Sequence, residues 1–217
     1  GVTAHGDGLN ALDRKGEPLG HAITSLDSRA ASIVERWEGI RDQALARIGQ
    51  TPFAFSPVTL LAWMQEYQPQ RFAALGHVLS CKDWLRFKLT GEIVTDFTEA
   101  STGYTDVHTQ CYSREALSML GIGSVLEALP EVRMPDEVAG HVCEAAARAT
   151  GLRAGTPVAT GLHDVTASAV GLGNIESDTL TIAAGTFSIN EVFSDAPKPD
   201  PRWATRNGLR PGQWLNM

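Results

Sequence analysis

Residues 156–173 read Thr-Pro-Val-Ala-Thr-Gly-Leu-His-Asp-Val-Thr-Ala-Ser-Ala-Val-Gly-Leu-Gly, the most regular pattern in the sequence. A short apolar run, a glycine and then apolar residues at helical spacing predict a strand over 157–160, a loop over 161–164 and a helix over 165–171. Asp164 therefore follows the C-terminal end of a strand, where open α/β sheets bind their ligands.

Two interpretations of Asp164 remain open from the residues alone. With His163 beside it, the carboxylate could act as a general base. Aspartate is also a preferred helix N-cap, which needs no function. Small residues around it, such as Gly161 and Ala167, let a ligand or a backbone approach closely and favour a site.

Two further strands are predicted over 179–183 and 188–193, joined through Gly185 and Thr186. A glycine backbone and a threonine hydroxyl suit phosphate oxygens. The same pair is also common in an ordinary hairpin turn.

The chain begins with a predicted strand over 1–4, a tight loop over 5–8 and a strand over 9–12. In the loop, Asp7 could accept hydrogen bonds from a polyol, or it could simply favour the turn. Asp27, followed by Arg29, could bind a hydroxylated ligand or cap the helix predicted from Ser28.

The remaining predictions alternate helices and strands and indicate an α/β protein. Helices are expected over 28–48, 56–68, 83–89, 113–120 and 144–150, strands over 22–24, 77–80 and 140–142, and loop over 197–212.

Composition excludes several classes of protein. The chain has 217 residues, 43% of them hydrophobic, and a formal net charge of −7 without a Lys/Arg run, so neither nucleic acid nor a membrane is an expected partner. Three cysteines without CxxC spacing are typical of reduced thiols in a cytoplasmic protein. There is no Walker A loop, GxGxxG, GxSxG or HExxH motif, and no metal site is predicted.

Several fragments together carry a resemblance through their order and spacing. They are Gly-Val-Thr-Ala-His-Gly-Asp-Gly-Leu-Asn-Ala-Leu-Asp at 1–13, Ser-Leu-Asp-Ser-Arg-Ala at 25–30, Asp-Trp-Leu-Arg-Phe-Lys-Leu-Thr-Gly at 83–91, Thr-Asp-Phe-Thr-Glu-Ala-Ser at 95–101, 151–158, Gly-Leu-His-Asp at 161–164, and Gly-Thr at 185–186. This order resembles the FGGY carbohydrate kinases, and within them the L-xylulose kinase, xylulokinase and erythritol kinase branches. The resemblance implies an actin-like, ribonuclease-H-like ATPase fold with a mixed sheet and flanking helices.

The resemblance also implies roles for individual residues. Asp164 would take the proton from a pentulose or polyol hydroxyl that attacks the γ-phosphate of ATP, with Mg²⁺ required. Gly185 and Thr186 would belong to a phosphate loop. The sugar pocket would include Gly6, Asp7, Asp27 and His163.

The family's Asp-x-Gly-Thr phosphate loop is not found in this sequence. We therefore expect a piece of a longer protein, inactive alone, with 1–170 from the sugar-binding domain and 171–217 opening the ATP-binding domain. A non-catalytic sugar-binding fragment and another actin-like ATPase remain alternatives, and a homodimer is a candidate assembly.

Overall fold

The computed structural model describes residues 1–177, 179–184 and 188–217. In the described residues, the α-helices follow in chain order as α1 (Ala31–Arg36), α2 (Arg41–Ile48), α3 (Pro57–Tyr67), α4 (Pro69–Ala73), α5 (Cys81–Thr90), α6 (Arg114–Met119), α7 (Glu144–Thr150) and α8 (Asp164–Gly171). Short 3₁₀ helices cover Trp37–Ile40, Glu99–Ser101 and Gly123–Ala128. Within the described ranges, no helix is both long and apolar enough to cross a membrane.

The strands are short and form several small sheets. They are β1 (Asn10–Leu12), β2 (His77–Leu79), β3 (Val94–Asp96), β4 (Glu131–Arg133), β5 (Val138–His141), β6 (Pro157–Ala159), β7 (Leu180–Ala184), β8 (Ser188–Ser194), β9 (Thr205–Asn207) and β10 (Trp214–Asn216). The pair β3–β4 is parallel, whereas β1–β2, β5–β6 and the sheet β7-β8-β10-β9 are antiparallel. Parallel and antiparallel pairing with helices confirms the mixed α/β class.

Local signals account for most helix ends. Ser80 and Ser113 accept hydrogen bonds from the backbone N–H groups of Asp83 and Ala116 and so cap α5 and α6. The helix predicted over 28–48 is interrupted by the 3₁₀ turn at Trp37–Ile40. Helix α3 ends at Tyr67, before Pro69 as predicted, and Pro69 begins the separate helix α4, because proline is compatible with the first turn of a helix.

The structure corrects two predictions at the chain's extremities. Among the described residues, 1–4 pair with no strand; Thr3 Oγ1 instead donates to the Leu162 carbonyl. The tail predicted as loop contains β9, which pairs with β10. The backbone N–H of Thr205 also donates to the Gly49 carbonyl at 2.8 Å. Both segments therefore make a hydrogen bond to a residue that is distant in sequence, Leu162 for the first and Gly49 for the second.

Gly49 is the residue that brings the end of α2 against β9. Its φ of +72° ends the helix in the left-handed conformation. A Cβ atom there would lie 2.3 Å from the Thr205 carbonyl oxygen. This close approach places Gln50, the next residue, beside Arg206 of β9.

Candidate active site

Three segments distant in sequence meet at one polar junction. The Gly6 backbone N–H donates to Asp164 Oδ2 at 2.9 Å. Arg206 Nη1 lies 2.9 Å from His163 Nε2, and Arg206 Nη2 lies 3.4 Å from Asp7 Oδ2. Four residues predicted from the sequence are thus brought together, with Arg206 as an addition.

Asp164 is the first residue of α8, and the N-cap position belongs to His163. The N-cap interpretation of Asp164 is therefore wrong. Its Oδ1 accepts from the Val165 backbone N–H at 2.8 Å, Gly6 binds the other oxygen, and 39% of the side chain remains exposed. The carboxylate is held by backbone donors and still open to a ligand.

His163 is buried, with both ring nitrogens engaged. Because a guanidinium can only donate, His163 Nε2 accepts from Arg206 and the ring proton is on Nδ1. Nδ1 lies 3.1 Å from Asp164 Oδ1, so the ring proton is close to the carboxylate. Burial and the Arg206 charge lower the pKa of His163 below its ordinary value, which favours this neutral ring. Its direct contact with sugar stays a prediction.

Position 6 requires glycine because the backbone there lies very close to the side chains of His163 and Asp164. A Cβ atom at this position would lie 2.1 Å from His163 Nε2 and 2.9 Å from Asp164 Oδ1. Any side chain would displace the imidazole or the carboxylate, so glycine is the residue that lets the 5–8 loop reach Asp164.

Asp7 combines an unusual backbone with a largely buried carboxylate. Its φ is +58°, a region that aspartate tolerates better than most residues but that is still uncommon outside glycine. The side chain is 14% exposed and faces Arg206. Strained positions cluster at functional sites, which supports a role for Asp7 beyond forming a turn.

Asp27 is not joined to this junction by any hydrogen bond among the described residues. Its carboxylate binds Arg29 Nε at 2.8 Å and Nη2 at 2.7 Å. The Arg29 side-chain hydrogen bond lowers the pKa of Asp27. The cap interpretation of Asp27 is wrong because α1 begins at Ala31 with Ala30 as its N-cap. Its role in sugar binding stays a prediction, and the predicted phosphate-loop residues Gly185 and Thr186 lie outside the described residues.

A buried network of charged side chains holds the backbone at His163 through Thr98. Lys82 Nζ lies 2.6 Å from Asp83 Oδ1 and 2.7 Å from Asp96 Oδ2, with all three side chains almost fully buried. Asp96 accepts from the Thr98 hydroxyl, which in turn accepts from the His163 backbone N–H at 2.9 Å. The segments 83–91 and 95–101 thus fix the backbone that carries the site.

Sequence analysis missed Arg206 and its partner Gln50. Both are polar, buried and distant in sequence from the junction they complete. The three residues of β9 are all polar, so no alternation of apolar and polar residues marks the strand. The apolar pair Trp214 and Leu215 was the available signal for a packed strand in this tail.

Glu191 is a further carboxylic acid close to the site. It lies on β8 between Ile189 and Phe193, on the face that packs against α8. The residue is fully buried, and neither carboxylate oxygen has a hydrogen-bond partner among the described residues. Burial, together with the nearby charge of Asp164, raises the pKa of Glu191 to about 7.

Replacing Glu191 by glutamine should stabilise the protein at pH 8 by roughly 1–3 kcal/mol. With a folded pKa of about 7 against an ordinary 4.5, the unfolded chain ionises first as the pH rises. Wild-type stability therefore falls between those values and stays low above pH 7. Thermal unfolding of both proteins at pH 4 and pH 8 measures this difference.

The exposed residue Glu176 provides a matched control. Glu176→Gln should change the thermal unfolding midpoint by a similar small amount at pH 4 and at pH 8. A Glu191→Gln protein that is no more stable than wild type at pH 8 would show that this carboxyl is stabilised by the fold.

The fold and the polar junction around Asp164 define a class of protein. The structure matches xylulose kinase from Rhodospirillum rubrum with a TM-score of 0.89 and 28% identity, covering 99% of this chain and 44% of that one. This is the actin-like ATPase fold. Within that class, the chain belongs to the FGGY family of carbohydrate kinases, whose N-terminal domain matches residues 1–171.

Curated relatives agree with this assignment. The chain is 35% identical over 192 residues to a "Probable L-xylulose kinase" of Pasteurella multocida, covering 87% of this chain and 40% of that protein. It is 37% identical over 194 residues to an "L-xylulose/3-keto-L-gulonate kinase" of Escherichia coli, covering 87% and 39%. The chain therefore spans about two fifths of the length of these relatives.

Proposed function

We propose that this chain forms the sugar-binding part of an ATP-dependent carbohydrate kinase acting on a pentulose or small polyol. The supporting observation is the Asp164 carboxylate, which is held by the Gly6 and Val165 backbone N–H groups and remains partly exposed beside Asp7. Family membership and the kinase relatives support the same proposal.

In the proposed reaction, Asp164 accepts the proton of the attacking sugar hydroxyl. The hydroxyl oxygen forms a bond to the γ-phosphorus of ATP, the bond from that phosphorus to the bridging oxygen breaks, and ADP leaves. Asp164 Oδ1 accepts from the Val165 N–H and lies 3.1 Å from His163 Nδ1, whereas Oδ2 accepts only from Gly6 in the described structure. Oδ2 is therefore the oxygen with more capacity for the proton.

ATP with Mg²⁺ is the proposed phosphoryl donor. Gly185 and Thr186 are proposed to contact its phosphates, and residues 171–217 are proposed to open the ATP-binding domain. Within the described ranges, no group of three His, Cys, Asp or Glu side chains is arranged around a metal ion. Because Mg²⁺ at such sites is bound largely by phosphate oxygens and water, the described residues are assigned no metal contact.

A phosphoryl-transfer screen tests the proposed function. The full-length protein containing this chain should release ADP from ATP only when a suitable pentulose, tetritol or glycerol is present. Residues 1–217 alone should show no turnover under the same conditions. ATP hydrolysis insensitive to every sugar would favour another actin-like ATPase, and sugar binding without turnover would favour a non-catalytic sugar-binding protein.

Asp7→Ala in the full-length protein should raise the KM for sugar far more than the KM for ATP. The substitution removes a charged acceptor whose hydrogen bonds to hydroxyls are worth roughly 1.5–3 kcal/mol each. Steady-state kinetics with each substrate varied in turn measures the effect.

Asp7→Asn is the matched variant, because asparagine also tolerates the positive φ at this position. It separates loss of charge from backbone strain: a raised sugar KM in both variants supports sugar binding. An unchanged sugar KM in both would return Asp7 to a turn-forming role.

A further inference from the structure

Arg206 uses its buried guanidinium to join three parts of the site. Its Nε donates to Gln50 Oε1 at 3.1 Å, its Nη1 donates to His163 Nε2 at 2.9 Å, and its Nη2 approaches Asp7. Only 6% of the side chain is exposed. Arg206 makes no hydrogen bond to Asp164 within the described structure, and His163 is the residue that contacts both side chains.

The backbone on either side of Arg206 is anchored independently of the guanidinium. Thr205 donates its N–H to the Gly49 carbonyl, and the Asn207 N–H donates to Ser101 Oγ at 3.1 Å. The Asn207 side-chain amide also donates to the Phe97 carbonyl at 2.9 Å. The guanidinium is therefore presented to His163 by a fixed strand, which is the arrangement that orientation of another side chain requires.

We propose that Arg206 is a positioning residue that holds His163 in its Nδ1–H tautomer and so keeps the ring proton close to the Asp164 carboxylate. Arg206 Nη1 donates to His163 Nε2, which leaves the ring proton on Nδ1, 3.1 Å from Asp164 Oδ1. With Oδ1 close to this proton and bonded to the Val165 N–H, Oδ2 is the oxygen left for the substrate hydroxyl. The last step rests on the proposed function, whereas the tautomer does not.

The charges around His163 show what Arg206 prevents. Asp7 from the 5–8 loop, Asp164 from α8 and Asp96 beneath Thr98 all favour a protonated ring, and Arg206 from β9 opposes them. Burial lowers the pKa of His163 most, and Arg206 lowers it further, so loss of Arg206 should raise this pKa and favour an imidazolium next to Asp164. A positive charge there makes the carboxylate a weaker base.

Arg206→Met in the full-length protein tests the proposal at the level of catalysis. Loss of the fixed tautomer should lower kcat by roughly 10- to 100-fold, because small displacements of a catalytic group have effects of that order. The acidic limb of the kcat–pH profile should move to higher pH. Arg206→Lys, which keeps a charged donor, should recover part of kcat and return the limb toward its wild-type position.

Arg210→Met is the matched control, since Arg210 is 58% exposed and pairs loosely with Glu176. It should leave both kcat and the pH profile unchanged. Thermal unfolding of each variant identifies any loss of fold, and Arg206→Lys provides the test if the methionine variant is unfolded.

The tautomer is measured directly by ¹⁵N NMR of the histidine rings, with His163 assigned by a His163→Gln variant. In wild type, His163 should be neutral with the proton on Nδ1 at pH 8. In Arg206→Met it should titrate at a higher pH than in wild type or show both tautomers. Identical His163 signals in wild type and variant would overturn the proposal. Altered signals in a protein that phosphorylates no sugar would uphold the positioning role and reject the proposed function.

Discussion

Asp164→Asn in the full-length protein should lower kcat by roughly 10²–10⁴-fold, because an amide cannot accept the proton of the attacking hydroxyl. Binding of sugar and ATP should change much less, since the other contacts remain. Steady-state kinetics and equilibrium binding of the sugar separate these two effects.

The structure also predicts a small loss of stability for this variant. Both carboxylate oxygens of Asp164 accept from protein N–H groups, and an asparagine amide can present an oxygen to only one side. One hydrogen bond is lost, at a cost of about 1 kcal/mol. The exposed residue Asp136 offers a control, as Asp136→Asn should leave kcat and stability unchanged. Near-normal turnover by Asp164→Asn would remove Asp164 from the chemistry.

Lys82→Met should reduce the free energy of unfolding by roughly 3–5 kcal/mol, the effect expected when one partner of a buried ion pair is removed. Lys82 is completely buried between Asp83 and Asp96, and methionine replaces its volume but not its charge. Burial disfavours ionised Asp83, but Lys82 and Arg86 outweigh it and hold the pKa of Asp83 below its ordinary value. Urea unfolding at pH 8 measures the loss.

A low folded pKa for Asp83 gives stability that is present at neutral pH and is lost as the pH falls through that pKa. The difference between wild type and Lys82→Met should therefore shrink as the pH falls below 3.8, the ordinary pKa of this carboxyl. Lys88→Met is the control on the exposed side of α5, where the lysine lies 4.9 Å from the Trp84 ring centroid. Lys88→Met should reduce the free energy of unfolding by at most about 1 kcal/mol. An equally small reduction for Lys82→Met would mean that the buried carboxylates are stabilised without the lysine.

Local chemistry explains which parts of the fold could be predicted. Helix α7 was predicted with its observed bounds because an alanine-rich run ends at Gly151, whose positive φ closes the helix. Helix α6 was predicted from Ser113, whose side chain caps the helix by accepting from the Ala116 backbone N–H. These signals lie within a few residues of the element that they determine.

Contacts between distant segments explain what could not be predicted. Strand β9 is anchored by the Gly49 carbonyl, and Arg206 contacts the candidate site only through residues 43 and 199 positions away. The assignment of Asp164 to the site was possible because the strand–loop–helix pattern is local. Its hydrogen bond from Gly6 crosses 158 positions, and no pattern in the sequence encodes it.

The separation between Asp7 and Arg206 has a consequence for biosynthesis. Translation proceeds at roughly 5–20 residues per second, so about 10–40 s pass between synthesis of the two residues. During that interval, the hydrophobic layer, which is the cluster of buried apolar side chains between Leu9 and Ala128, can already form. The 5–8 loop still lacks its contact with Arg206. The contacts of Arg206 with Asp7 and His163 can form only after both ends of this segment have been made. On the ribosome, the hydrophobic layer can therefore form before the junction around Asp164 is complete.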